Sequence, residues 1–215
     1  MRIDVFTDAV CPWCFIGKRR LERALALRGD CAADIRWRPF QLNPWMPAEG
    51  MSRAEYLVAK FGATDASRVF DNIRRVGESE GIRFAFDRIE RMPNTLAAHR
   101  LIRWAVAEGL PGGALLDAIF EAYFEDGLDI GDPEVLAGLA GAAGFDQIAA
   151  ERFLTGTDQL EPVAAEDAEA RQMGVQGVPC FIVDKRFAVS GAQEPEYFMP
   201  LFDLAENPAA TAAAD

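Results

Sequence analysis

The stretch DAVCPWCFIGKRRLERALAL, residues 8–27, decides the fold. Two cysteines, Cys11 and Cys14, stand two residues apart where the chain changes character. Before them, RIDVFT (residues 2–7) is short, rich in β-branched residues and followed by turn formers, so it reads as a buried strand. After them, Leu21, Ala24, Leu25 and Leu27 recur near helical spacing until Gly29-Asp30 stops the run. Pro12 suits the first helical position, where no backbone N–H is needed, and this places Cys11 at the N-cap. Such a pair can be half of a zinc site, two inert core thiols, or a dithiol. A structural zinc site takes four ligands, commonly from two such pairs. Here only Cys31, Cys180 and the single histidine, His99, remain, without paired spacing. Free cysteines do serve as small buried hydrophobes. The strand–CxxC–helix setting favours the dithiol.

The physical reason lies in the helix end. A helix N-terminus presents unpaired N–H groups and the positive end of the macrodipole, so a sulfur there is stabilised as thiolate. Cys14, one turn further in, is expected to be more buried and placed to attack a mixed disulfide formed by Cys11. Lys18, Arg19 and Arg20 add positive charge, but their side chains are expected to point to solvent and contribute little.

The chain has 215 residues, enough for one domain with a large insertion. Its 50% apolar and 26% charged residues suit a globular protein. A net charge of −12 opposes binding to nucleic acid or to an anionic membrane. The opening MRIDVFTDAV lacks a basic segment followed by an apolar one, and Asp4 and Asp8 interrupt it, so no secretory signal is expected. The longest uncharged apolar run, VLAGLAGAAGF (residues 135–145), is too short to span a bilayer. The expected compartment is the cytoplasm, which also argues against a structural disulfide framework.

Further along, ADIRWRPFQL (residues 33–42) reads as a second strand ended by Asn43-Pro44. From about Ser52 to Gly174 the pattern is helical. Gly62, Gly81, Gly109, Gly127, Gly144, Gly156 and Gly174 each follow an apolar-periodic run, as left-handed helix caps do. Ser52 and Glu55 form a capping box, and Asp132-Pro133 reads as N-cap and first helical residue. Ile82, Phe84 and Phe86 alternate, so that piece is expected to be extended. Strand character returns in VPCFIVD (residues 178–184) and FAVSG (residues 187–191), joined by a tight turn at Lys185-Arg186. A last helix from about Glu194 to Glu206 would bury Tyr197, Phe198, Leu201, Phe202 and Leu204. The strands at the two ends must pair, because isolated strands are not stable. The expectation is an α/β domain built from residues 1–48 and 160–207, with an all-helical insertion at 49–159 and a flexible tail at 208–215.

A second motif is GVQGVPCF, residues 174–181. A proline opening a strand withholds a ladder N–H. Val178-Pro179 reads either as a trans proline on an edge strand or as a cis bond in a tight turn.

Taken in order, DAVCPWCFIGK, FQLNP, PNTLAAHRL, GVQGVP and SGAQ resemble the DsbA family of thioredoxin-fold oxidoreductases, and within it a cytoplasmic FrnE-like branch. The likeness runs from about Arg2 to about Phe202. It implies a thioredoxin-like fold with a helical insertion and a cis-proline loop at Val178-Pro179 lying against the thiols. It implies that Cys11 attacks and Cys14 resolves, with Pro12 and Trp13 between them tuning the pair. Val178 would offer its backbone to an extended substrate. No cofactor or metal is implied; glutathione is a candidate redox partner. The substrate would be a disulfide- or dithiol-containing protein or peptide, or a small thiol. The same superfamily contains kappa-class glutathione transferases and 2-hydroxychromene-2-carboxylate isomerases, typically with serine at the active-site position. A glutathione-dependent enzyme of that kind is the alternative reading.

Other residues keep two readings each. Asp8, and Asp4 within the strand, are candidates to relay a proton to Cys14, or Asp8 is a turn residue. Trp13 and Phe15 flank the thiols as an apolar rim, unless Trp13 simply packs. Cys180 either offers Cys11 an alternative disulfide or is a small core residue. His99 either serves the cleft or is a packed or surface histidine. Cys31 reads as structural.

Overall fold

In the computed structural model the described residues are 1–29, 32–62 and 67–206. The expectations for Cys31 and for the tail lie outside them. Strand β1 (Arg2–Thr7) leads into helix α1 (Pro12–Arg28), and β2 (Asp34–Pro39) follows. The chain then returns to the sheet only at β5 (Cys180–Val183) and β6 (Phe187–Ser190). The strand order is β2-β1-β5-β6. β1 runs parallel to β2, from Arg2 opposite Asp34 to Thr7 opposite Pro39. β1 and β5 are antiparallel, with Phe6 opposite Cys180. β5 and β6 form the hairpin, and positive φ at Asp184 and Lys185 centres its turn one residue earlier than expected.

Alternation along the strands assigns the two faces. Ile3, Val5, Phe181 and Val183 turn to one face, where Leu21 and Ala24 of α1 cover them with Phe198 and with Phe202 of helix α9 (Met199–Glu206). Phe6 and Cys180 turn to the other, with Phe40, Val175 and Ala170 of helix α8 (Leu160–Gln172). Leu27 and Tyr197, expected in the core, are 66% and 63% exposed. Leu27 lies off the buried stripe of α1, which continues from Leu21 and Ala24 to half-buried Leu25 and Arg28. Tyr197 lies in a short 3-10 turn (Pro195–Tyr197) that interrupts the expected last helix.

Between β2 and α8 lie α2 (Arg53–Phe61), α3 (Ser67–Ser79), α4 (Leu96–Ala107), α5 (Gly112–Glu121), α6 (Pro133–Ala142) and α7 (Gln147–Thr155). The region is not purely helical. β3 (Met51–Ser52) and β4 (Arg91–Met92) form a two-stranded ribbon, and residues 82–85, expected as an extended piece, belong to no strand or helix while burying Ile82 and Phe84. Ser52 and Glu55 make the expected capping box on α2, and Asp132 caps α6. The glycines expected as left-handed caps have positive φ except Gly156, whose φ of −88° and ψ of −172° are extended.

The helical region is docked on α1 by residues expected to face solvent. Lys18 is 2% exposed and lies 2.6 Å from Asp117 of α5. Arg20 reaches Glu80 at 2.8 Å, the carbonyl of Ala192 at 2.7 Å and Glu194 at 2.5 Å. Phe15, expected at the rim, is buried and stacks on Phe120 at 5.0 Å between ring centroids. Burying such a ring contributes about 2–3 kcal/mol.

Candidate active site

Both thiols sit at the seam between the sheet domain and the helices. Cys11 is the N-cap of α1, with extended backbone (φ −96°, ψ 110°) and no side-chain cap bond. Its N–H donates to the carbonyl of Asp8 at 3.0 Å, fixing the turn from β1 into the helix. The open N-terminal turn therefore directs its unpaired N–H groups and the positive end of its dipole towards Cys11. Cys11 is 4% and Cys14 2% exposed, so burial separates them less than expected; what differs is that Cys11 borders a cavity.

Cys14 is held as a thiol. Burial pushes its pKa well above the ordinary thiol value, and proximity to Cys11 pushes the same way. The Thr7 hydroxyl and the Asp8 backbone N–H favour its thiolate without overcoming burial.

The Val178-Pro179 peptide bond is cis. The Cys11 thiol donates to the Val178 carbonyl at 3.5 Å. Gly191, in the SGAQ segment, donates its N–H to the Pro179 carbonyl at 2.8 Å and ties the loop to the end of β6. Gly17 makes the approach feasible from the other side. A Cβ there would lie 2.7 Å from Pro179 Cγ. Gly17 is a site residue that sequence reading passed over, although an interior helix glycine beside CPWC was a signal.

Asp8 and His99 meet behind the thiols. His99 Nε2 lies 3.4 Å from Asp8 Oδ1, and both side chains are buried. Neither atom has a hydrogen bond among the described residues, whereas Asp8 Oδ2 accepts the Leu42 N–H at 2.7 Å. His99 is thus a buried neighbour of Asp8 rather than a surface residue. Asp4 is elsewhere: buried itself, its carboxylate lies 2.5 Å from Arg2 and 3.5 Å from Arg38, so it is engaged by these cations rather than by Cys14. Cys180 packs with Phe6 and Phe40 on the sheet face away from α1, and burial raises its pKa.

In front of Cys11 opens a cavity of about 390 Å³. Trp13 and Val178 border it beside Cys11, and Phe70, Phe86 and Phe124 contribute apolar walls. Arg53, Tyr56 and Lys60 of α2 also line it. These residues were not legible as a site, because only the docked helices bring them to the thiol.

The DSBA-like thioredoxin domain model matches residues 2–201 of the chain. A probable DsbA oxidoreductase from Streptomyces coelicolor is similar in structure, with a TM-score of 0.86, 32% identity, and coverage of 96% of this chain and 90% of that one. The uncharacterized protein YwbO of Bacillus subtilis is 27% identical over 85% of this chain and 86% of its own. The cytosolic disulfide reductase DsbM from Pseudomonas aeruginosa, solved with GSH, shares the fold at a TM-score of 0.65 and 18% identity, over 99% of both chains. A 2-hydroxychromene-2-carboxylate isomerase shares it at 0.69 and 18%, over 100% of both.

Proposed function

Because the chain belongs to the DSBA-like thioredoxin domain family, we propose that it is a thiol–disulfide oxidoreductase in which Cys11 attacks and Cys14 resolves. The observation that carries this reading is the position of Cys11. It occupies the open N-terminus of α1, 3.5 Å from the Val178 carbonyl, with Cys14 one turn behind it.

The steps balance. The Cys11 thiolate attacks one sulfur of a substrate disulfide; the S–S bond breaks, a Cys11 mixed disulfide forms and one thiolate leaves. Cys14 then loses its proton and attacks Cys11 Sγ, expelling the second thiolate and leaving a Cys11–Cys14 disulfide. The two released thiolates take up the two protons of the cysteines. Two equivalents of glutathione return the dithiol, and the reverse sequence oxidises a dithiol substrate. Asp8, with His99 behind it, is the proton acceptor for Cys14 in this reading. Pro12 and Trp13 space the thiols, and Val178-Pro179 lies against the bound substrate. A FrnE-like place in the family and a cytoplasmic setting accord with this assignment, and the cytosolic DsbM solved with GSH makes glutathione the first reductant to try. The domain reading stays with it: residues 1–48 and 160–207 supply the thiols and loop, and 49–159 the cover.

The test is trapping with hydroxyethyl disulfide, read by intact mass. Wild type should end two hydrogens lighter, Cys14→Ser should hold a stable adduct on Cys11, and Cys11→Ser should do neither. An adduct or an internal disulfide in Cys11→Ser contradicts the assignment.

The apolar cavity and the shared fold with an isomerase keep a second reading in view, a glutathione-dependent isomerase or transferase. In that case Cys11→Ser would preserve the activity while abolishing disulfide exchange.

A further inference from the structure

The cavity beside Cys11 has a charge pattern that the exchange chemistry leaves unused. Helix α2 presents Arg53, Tyr56, Leu57, Lys60 and Phe61 to it, the i, i+3, i+4, i+7 and i+8 positions of one face. The Arg53 guanidinium sits 5.0 Å over the Phe70 ring, and burial lowers its pKa. Lys60 Nζ donates to the Tyr56 hydroxyl at 2.9 Å, and Asn43 Nδ2 approaches that hydroxyl at 3.4 Å.

Neither cation pairs with a carboxylate among the described residues. The buried or half-buried cations Lys18, Arg20 and Arg38 are by contrast paired with carboxylates. Arg53 is half-buried and feels Asp87 only beyond ion-pair distance, whereas Lys60 is exposed at the cavity mouth; an incoming anion offsets the desolvation of Arg53. Among the described residues no Asp or Glu lines the cavity either. A zwitterion such as glutathione would bury its ammonium group there without a partner. The volume, about 390 Å³, suits a small ligand, and the phenylalanine walls suit an aromatic one.

Building on the oxidoreductase reading, we propose that the substrate of Cys11 is a small aromatic disulfide bearing a carboxylate. Its ring fills the cavity, and Arg53 and Lys60 hold its carboxylate. Cys11 attacks the sulfur attached to the bound ring, the S–S bond breaks, and the distal arenethiolate leaves. Cys14 then expels the bound arenethiolate and closes the Cys11–Cys14 disulfide. One disulfide is reduced to two thiols, one dithiol is oxidised, and glutathione restores it.

The test compares single-turnover rates of the reduced protein with para-dithiodibenzoic acid and with its diamide, each divided by the rate with free mercaptoethanol. The acid should be favoured about tenfold, a difference of about 1.4 kcal/mol. The ratio should fall towards one in Arg53→Gln/Lys60→Gln and partway in Lys60→Gln alone. As a check independent of variants, para-(methylthio)benzoate should protect Cys11 of wild type from alkylation better than its amide. A wild-type ratio of one or less, with both reagents producing the internal disulfide, overturns the substrate class and leaves the oxidoreductase reading standing. A ratio that survives in the double variant overturns the assignment to Arg53 and Lys60. Failure of either reagent, and of hydroxyethyl disulfide, to produce the internal disulfide overturns the oxidoreductase reading itself.

Discussion

At Gly17 the packing leaves no room for a methyl group. An added Cβ meets Pro179 Cγ at 2.7 Å and Phe181 Cζ at 3.1 Å. Gly17→Ala should destabilise the protein by about 1–3 kcal/mol in urea unfolding and slow the reaction of Cys11, because the Val178-Pro179 loop must retreat. The raised pKa of Cys14 makes a second prediction. Its largest cause, burial, persists when Cys11 is tied up in a mixed disulfide, whereas the contributions from Cys11 fall away. Resolution should therefore accelerate with pH from neutrality through pH 9 without a plateau, followed by quenched-flow trapping of the Cys11 adduct. Asp8→Asn should slow that step by about 10²-fold at neutral pH while leaving the first attack intact. A slowed first attack would mean that Asp8 only shapes the turn. At this scale the cysteines and Pro12 were legible because helix-end chemistry is local. Lys18 and Arg20 were not. Reading α1 as an isolated amphipathic helix sends cations to water, and only the docked insertion supplies Asp117 and Glu80.

Among the elements, α2 carries one wall of the cavity and its start is fixed by Ser52. Ser52→Ala removes the oxygen that accepts the Glu55 N–H and should cost about 1 kcal/mol of stability. Arg20→Ala should cost more, about 3 kcal/mol, because Glu80, only 3% exposed, keeps just its pairing with Arg23. Equal melting temperatures for the two variants would show that Arg20 does not clamp α1 to the end of α3. The helix starts at Ser52 and Asp132 were readable, since caps are chemistry within four residues. Gly156 misled because a glycine after a helix need not be left-handed. Here the chain turns extended while Arg100 Nη2 donates to the Gly156 carbonyl at 2.6 Å. The β3–β4 ribbon was invisible, because two-residue strands have no period to read.

For the whole molecule, the pairing of chain-end strands followed from their isolation in sequence, and the sheet order agrees with it. How the helical region sits on α1 did not follow. It depends on tertiary contacts such as the stacking of Phe15 on Phe120, which no spacing within the chain encodes. Two groups in that seam set a global pH response. Cys14 and Tyr123 both have pKa values raised by burial, so the folded state keeps protons that the unfolded chain releases. Their contribution is complete below the unfolded values and declines as pH rises past about 9. Chemical denaturation of the reduced protein should show stability falling above that pH. Oxidised protein, without the Cys14 titration, should fall less.

The exchange claim is tested most directly by equilibrating the protein with glutathione buffers of graded potential and trapping free thiols by alkylation. Both Cys11 and Cys14 thiols should be lost together in one two-electron transition. Accumulation of a glutathione adduct on Cys11 with Cys14 still free would contradict it.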